Sequence, residues 1–125
     1  MKNLQVPTNS ANSENAPGTL VATAAEQAMF EVVFSPSPGQ FSGGWIDAST
    51  MEVGDTVVIR QYVRLSDGGA WLLTYGADTY TGVQASTIAV PSAYSRYGVR
   101  VTIQQTAGTL RTLPYEFYYS EGGVE

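Results

Sequence analysis

Apolar and polar positions alternate along most of the chain from Thr19 onward, and this two-residue period predicts strands. The pattern is clearest over residues 56–65. Val57, Ile59, Gln61, Val63 and Leu65 fall on one face, and Val58, Arg60, Tyr62 and Arg64 on the other. Ser66-Asp67-Gly68-Gly69 follows with hairpin chemistry, since Asp and Gly accept the positive φ that such turns require, and residues 70–75 are expected to return alongside. Residues 29–34 set Phe30, Val32 and Phe34 against Met29, Glu31 and Val33. Residues 40–47 carry Phe41, Trp45 and Ile46, and their Gly43-Gly44 pair predicts a bulge or a close backbone approach.

Residues 19–24, 80–84 and 87–90 read as further strands, with Pro91 closing the last. Residues 99–105 and 110–119 predict a closing hairpin around Thr106-Ala107-Gly108-Thr109. Residues 24–27 are compatible with one helical turn and residues 94–98 with a reverse turn. Residues 48–55 are expected to form a loop that tucks Met51 and Val53 under the sheet. About eight or nine short strands at regular spacing, without a long helix, predict an all-β fold. The expected class is a single antiparallel β-sandwich, Ig-like or jelly-roll-like, with an extended N-terminal arm.

The alternation is missing from residues 1–18. This stretch is rich in Asn, Ser, Pro and Ala, and Leu4 and Val6 are its only large aliphatics. It cannot bury enough apolar surface to offset its own conformational entropy, so it reads as an arm that needs another chain to hold it. The division expected is an arm over 1–18 and a sandwich body over 19–125. Leu4, Val6, Pro7 and Pro17 are the candidate partner-binding residues of the arm, which extended would reach at most about 60 Å. Strand addition to a neighbour would use main-chain hydrogen bonds, with the apolar residues setting register.

Composition narrows the chemistry. The 125 residues contain neither cysteine nor histidine. Thiol nucleophiles, disulfides, Cys- or His-based zinc sites and serine triads are therefore excluded. The eleven carboxylates remain for catalysis. However, Asp47, Asp55, Asp67 and Asp78 sit at expected strand ends or turns, where Asp caps backbone, and Glu31 and Glu116 point outward. No run of alternating acids reads as a calcium loop. Neither an enzyme, a metal nor a cofactor is expected.

The net charge of −5 argues against nucleic acid and anionic membranes as partners. No apolar run has bilayer-spanning length, and none follows Lys2 as a signal peptide would require, so synthesis in the cytoplasm is expected. Of the six basic residues one is Lys2, and the body's are all arginine, the cation favoured at protein interfaces. Phe30, Phe34, Trp71, Tyr115 and Phe117 are the expected aromatic core. Arg60, Tyr62, Arg64, Trp45 and Tyr97 are the candidate partner-binding residues of the body. Exposed Trp and Tyr suit a protein interface and equally a sugar-binding face.

The polar arm, the absent signal peptide, the His- and Cys-free β-body and the segment Tyr97-Gly98-Val99-Arg100-Val101-Thr102-Ile103-Gln104-Gln105-Thr106-Ala107-Gly108-Thr109 together resemble small virion proteins of tailed viruses. The resemblance is to the capsid decoration or cement type, and is one of architecture. It implies a non-enzymatic structural protein of the virion that binds an assembled shell through its body and arm. The implied partners are a major capsid protein or further copies of the chain in a homo-oligomer, with a trimer as the form implied. Two alternatives stand beside it: a glycan-binding sandwich on a virion or cell surface, and a filament subunit that donates its arm as a strand to the next copy.

Overall fold

A computed structural model describes residues 13–34, 38–74 and 76–120. Ten strands run in chain order: β1 (Ser13–Val21), β2 (Gln27–Val32), β3 (Gly39–Ile46), β4 (Thr56–Val63), β5 (Leu72–Leu73), β6 (Asp78–Thr81), β7 (Ile88–Val90), β8 (Ala93–Ser95), β9 (Val99–Ala107) and β10 (Thr112–Ser120). They form two antiparallel sheets. The first has the order β1-β10-β3-β7, with β8 also on β3; the second has the order β2-β9-β4-β5, with β6 also on β4. The fold is the expected β-sandwich. Its strand order decides between the two forms considered: with β5/β6 and β7/β8 each taken as one position, the chain passes between the sheets as a jelly roll does.

The core is a slab of aromatic rings between the sheets. Phe30 of β2 stacks on Phe41 of β3 at 5.2 Å between centroids and meets Phe117 of β10 at 5.4 Å. Tyr115 and Tyr119 extend the slab along β10, and Val57, Ile59, Val99, Val101 and Ile103 close it from the second sheet. Phe30, Phe34 and Phe117 are buried as expected. Trp71 and Tyr115 are only partly buried. The Tyr115 ring lies over Gly18 of β1, where any Cβ would meet the phenol, so the small residue on β1 makes room for the large one on β10.

Several local expectations are corrected. The first strand begins at Ser13, not Thr19, because residues 13–21 pair in continuous register with residues 112–120. Residues 24–27 form no helical turn: Gln27 Oε1 accepts the Thr23 amide at 3.0 Å and the chain bends there. The closing hairpin is not a hairpin. β9 and β10 belong to different sheets, so residues 108–111 cross the sandwich. The Gln105 side chain replaces the missing ladder, donating to the carbonyls of Ala107 and Thr109 and accepting the Arg111 amide.

Met51 is buried, but Val53 is 88% exposed, because a second turn closed by the Asp55 amide on the Glu52 carbonyl throws it outward. Leu65 is 75% exposed because β4 ends at Val63. The return strand is reduced to Leu72–Leu73, after which Thr74 bonds Gln61 through both its amide and its hydroxyl. Residues 93–95, expected as part of a loop and turn, pair with β3 as β8.

The bulge expected at Gly43-Gly44 is present. Tyr118 faces Gly43 while Tyr119 faces Phe41, leaving Ser42 as the extra residue of β3. Gly43 takes φ +86°, and a Cβ there would strike the Val90 carbonyl oxygen. Only glycine satisfies both conditions.

Candidate functional site

The sequence places Arg60, Tyr62, Arg64, Trp45 and Tyr97 together as candidates, and the fold distributes them over three surfaces. Arg60 and Tyr62 lie on the outer face of the second sheet, opposite Thr102 and Arg100 of β9. Glu26, in the connection before β2, reaches over this face. Its Oε2 accepts from the Tyr62 hydroxyl and from Thr102 Oγ1, and its Oε1 lies 3.6 Å from Arg60 Nη1. Arg60 also donates to Gln104 Oε1 at 3.1 Å, and Gln104 in turn donates to the Ala24 carbonyl. The Thr102 hydrogen bond, followed by that of Tyr62, holds the Glu26 carboxyl below its ordinary value. Burial, then the neighbouring Glu26, raises the Tyr62 phenol. This network closes on itself. Its members were not apparent as partners in the sequence, although the alternation of Arg100, Thr102 and Gln104 along β9 marks that face as polar.

Trp45 is on the opposite side of the molecule, on the outer face of the first sheet. It stands between Glu116 of β10 and Ala89 of β7 and is 53% exposed. Tyr118, two residues beyond Glu116 on the same face, is 38% exposed across from Gly43. Tyr94 of β8 is 76% exposed, opposite Gln40. Asn15 of β1 donates to Glu116 at 2.7 Å. Partial desolvation, then the nearby Glu116 carboxylate, raises the Tyr118 phenol.

Pro17 lies on this same face, opposite Glu116 on edge strand β1. Proline has no amide to offer a further strand, so its place on the margin is one that sheets accept. Leu4, Val6 and Pro7 lie outside the described residues.

Arg64 and Tyr97 belong to a third surface, an open cleft of about 410 Å³ at one end of the sandwich, whose lining also includes Leu65, Tyr94 and Arg96. The Arg64 guanidinium stacks 4.3 Å from the centre of the Trp71 ring. Ser95 builds the turn beside it: its hydroxyl donates to the Arg64 carbonyl and accepts the amides of Tyr97 and Gly98. Arg96, which the sequence reading did not single out, packs over Tyr97 at 5.4 Å.

The most buried carboxylate is elsewhere again. Asp55 accepts the amides of Glu52 and Thr109 and the side chain of Arg111, tying the loop before β4 to the crossing before β10. The Arg111 hydrogen bond is the main cause of its lowered pKa. With both oxygens engaged by backbone amides and a guanidinium, it is a structural pin that ties the two loops together. Among the described residues no group of three or more carboxylates is placed to hold a metal ion, and none of their helices is long and apolar enough to cross a membrane.

No protein-family model and no curated protein matches the chain. Among solved structures the chain is similar to a protein described in the words "Bacillus endospore appendages form a novel family of disulfide-linked pili". The two superpose with a TM-score of 0.52 at 15% sequence identity, covering 98% of this chain and 100% of the other. At that identity the likeness is one of fold, and it extends over nearly the whole sandwich.

Proposed function

We propose that the chain is a non-enzymatic structural subunit that assembles with further copies of itself into a filament through its arm. The observation that carries this reading is the position of β1. It is the outermost strand of its sheet, and Ser13, its first residue, follows directly on residues 1–12. The body thus begins at a sheet margin, at the first residue of an edge strand. The likeness to a pilus protein supports the same reading. That protein is described as forming disulfide-linked pili, whereas this chain has no cysteine. In this reading its copies are joined without disulfides.

Geometry favours one acceptor. β1 is blunted by Pro17, and β5, β6, β7 and β8 have at most four residues each. β2, with six residues and no proline, is the longest edge able to take a strand. In this reading Leu4 and Val6 supply the register of the added strand. The test is electron microscopy and light scattering of the full-length chain beside a variant lacking residues 2–12. Filaments from the first and monomers from the second are expected; a chain that stays monomeric at every concentration would refute the reading.

The open aromatic face of the first sheet favours a second reading, the capsid decoration role that the resemblance to virion proteins implies. A flat face bearing Trp45, Tyr94 and Tyr118 would lie on a preformed shell. This version differs in outcome: the isolated chain forms no filament, and it binds assembled shells in an amount that substitution of Trp45 reduces.

A further inference from the structure

Asp55 fixes more than one loop. Its side chain accepts the Glu52 and Thr109 amides, and its carbonyl accepts the Gly82 amide at 2.8 Å. Three loops are gathered in this way at one end of the sandwich. Each carries an exposed aliphatic within a residue of its bond to Asp55: Val53, Val83 and Leu110. Val53 is the most exposed of the three. It sits in the turn that the Asp55 amide closes on the Glu52 carbonyl, followed by Gly54 at φ +96°. Glu52 beside it is exposed too, and Arg111 nearby is committed to Asp55. The result is a pinned apolar tip with a carboxylate next to it, and aliphatics exposed together mark a contact surface.

The other end of the sandwich carries the complement. β4 starts just after the tip and ends at Val63 in the cleft, and β9, nine residues long, sets the two ends roughly 30 Å apart. Pro38, Val63 and Leu65 give part of the cleft an apolar lining. Its two arginines differ from the rest of the body's. Arg60, Arg100 and Arg111 are set against Glu26, Glu31 and Asp55, whereas Arg64 and Arg96 are held by rings, 4.3 Å from Trp71 and 5.4 Å from Tyr97. A guanidinium held by its face presents its N–H groups in plane, the arrangement that a carboxylate takes. We propose, relying on the filament reading for the choice of occupant, that the cleft receives the tip of a second copy. Val53 seats on Pro38, Val63 and Leu65, and Glu52 answers Arg64 and Arg96. Both halves of the contact are present on one molecule, at ends too far apart to meet within it. A contact between unlike ends runs head to tail, and it repeats into an open chain of copies unless its rotation closes a ring. Ser13 is at the cleft end as well, opposite Ser120, which faces Gln40 beside Tyr94. The second copy therefore sits over the end from which β1 starts.

The test uses the full-length chain, in which the absence of cysteine makes any introduced thiol unambiguous. A Val53→Cys chain is mixed with a Leu65→Cys chain and oxidised, since a disulfide forms only where Cα atoms come within about 7 Å. Mixed dimers in excess of both homodimers are expected, and a chain carrying both changes should give a ladder of oligomers. Homodimers at equal yield, or no cross-link, overturn the proposal. Charge reversal supplies a second readout. Glu52→Arg and Arg96→Glu each set like charges together and should weaken association about tenfold, and combining them in one chain should restore it. Both residues are exposed on turns, so thermal melts should change little. A double variant that does not recover also overturns the contact. Filaments without the mixed cross-link would refute this contact and leave the arm-based reading standing. Mixed cross-links from a chain that forms no filament would retain the contact and refute that reading.

Discussion

The two outer faces of the sandwich are built from similar residue types and behave as opposites. On the second sheet, Arg60, Tyr62, Thr102 and Gln104 each find a partner within the face, with Glu26 at the centre. On the first sheet, Trp45, Tyr94 and Tyr118 have neighbours too small or too few to cover them: Ala89 beside Trp45, Gly43 across from Tyr118. Cross-strand register makes the difference. A donor set opposite an acceptor closes a face, whereas a large ring set opposite alanine or glycine leaves it open. The closed face contributes to the stability of one chain. The open face is suited to contact with something else.

The hardest way to break this contrast is at the bulge that aims the open face. Gly43→Ala adds a Cβ at φ +86° and drives it into the Val90 carbonyl. The strained dihedral and the clash together should cost about 2–4 kcal/mol. Denaturant unfolding should show a midpoint shift of that size, with loss of the β3–β7 pairing in hydrogen exchange. An effect below half of this would mean that β3 tolerates a regular ladder and that the bulge does not set the face.

A smaller effect is expected on the closed face. Glu26→Ala strips the Tyr62 and Thr102 hydroxyls of their shared acceptor. Because Thr102 is buried, the loss should be about 1 kcal/mol. The ion pair to Arg60, whose partner is more than a third exposed, adds little. The same group shapes the response to acid. Glu26 and Asp55 are held below their ordinary values of 4.5 and 3.8 in the folded chain. The unfolded chain therefore binds protons first as the pH falls, so their contribution is complete above about pH 4.5 and is lost as the pH drops through the folded values. Thermal melts should be flat from neutrality to that point and fall below it. Glu26→Gln should shallow the fall, and an unchanged acid slope would remove Glu26 from the account.

These partners also show what could be read from the chain alone. Strict alternation made β4 legible, since Val57 and Ile59 must face the core if Arg60 and Tyr62 face water. The bulge was legible because two adjacent glycines in a strand have few other uses. The crossing between β9 and β10 was not, because Gly108 and its neighbours have the composition of a hairpin turn. What diverts the chain is Asp55 and Gln105, each bonding to Thr109 from afar or across the turn. The cleft was hidden for a similar reason: Arg64 and Arg96 are thirty-two positions apart and line one cleft, where Ser95 binds the Arg64 carbonyl. Periodicity reports which face a residue takes, and long-range pairing decides what it meets there.

The smallest effect on stability is expected where assembly should suffer most. Trp45→Ala and Tyr118→Ser remove rings that the body covers only in part, Trp45 being 53% and Tyr118 38% exposed, so each should cost no more than about 1 kcal/mol in unfolding. If the open face serves a contact, the same changes should weaken that contact markedly, since aromatic side chains at the centre of an interface carry much of its energy. Glu26→Ala should do the reverse, lowering stability while leaving assembly intact. Measuring unfolding and assembly on the three variants in parallel therefore tests the comparison itself. A Trp45 variant that melts early and assembles normally would mean that the indole supports its own sheet, and the two faces would then be structural alike.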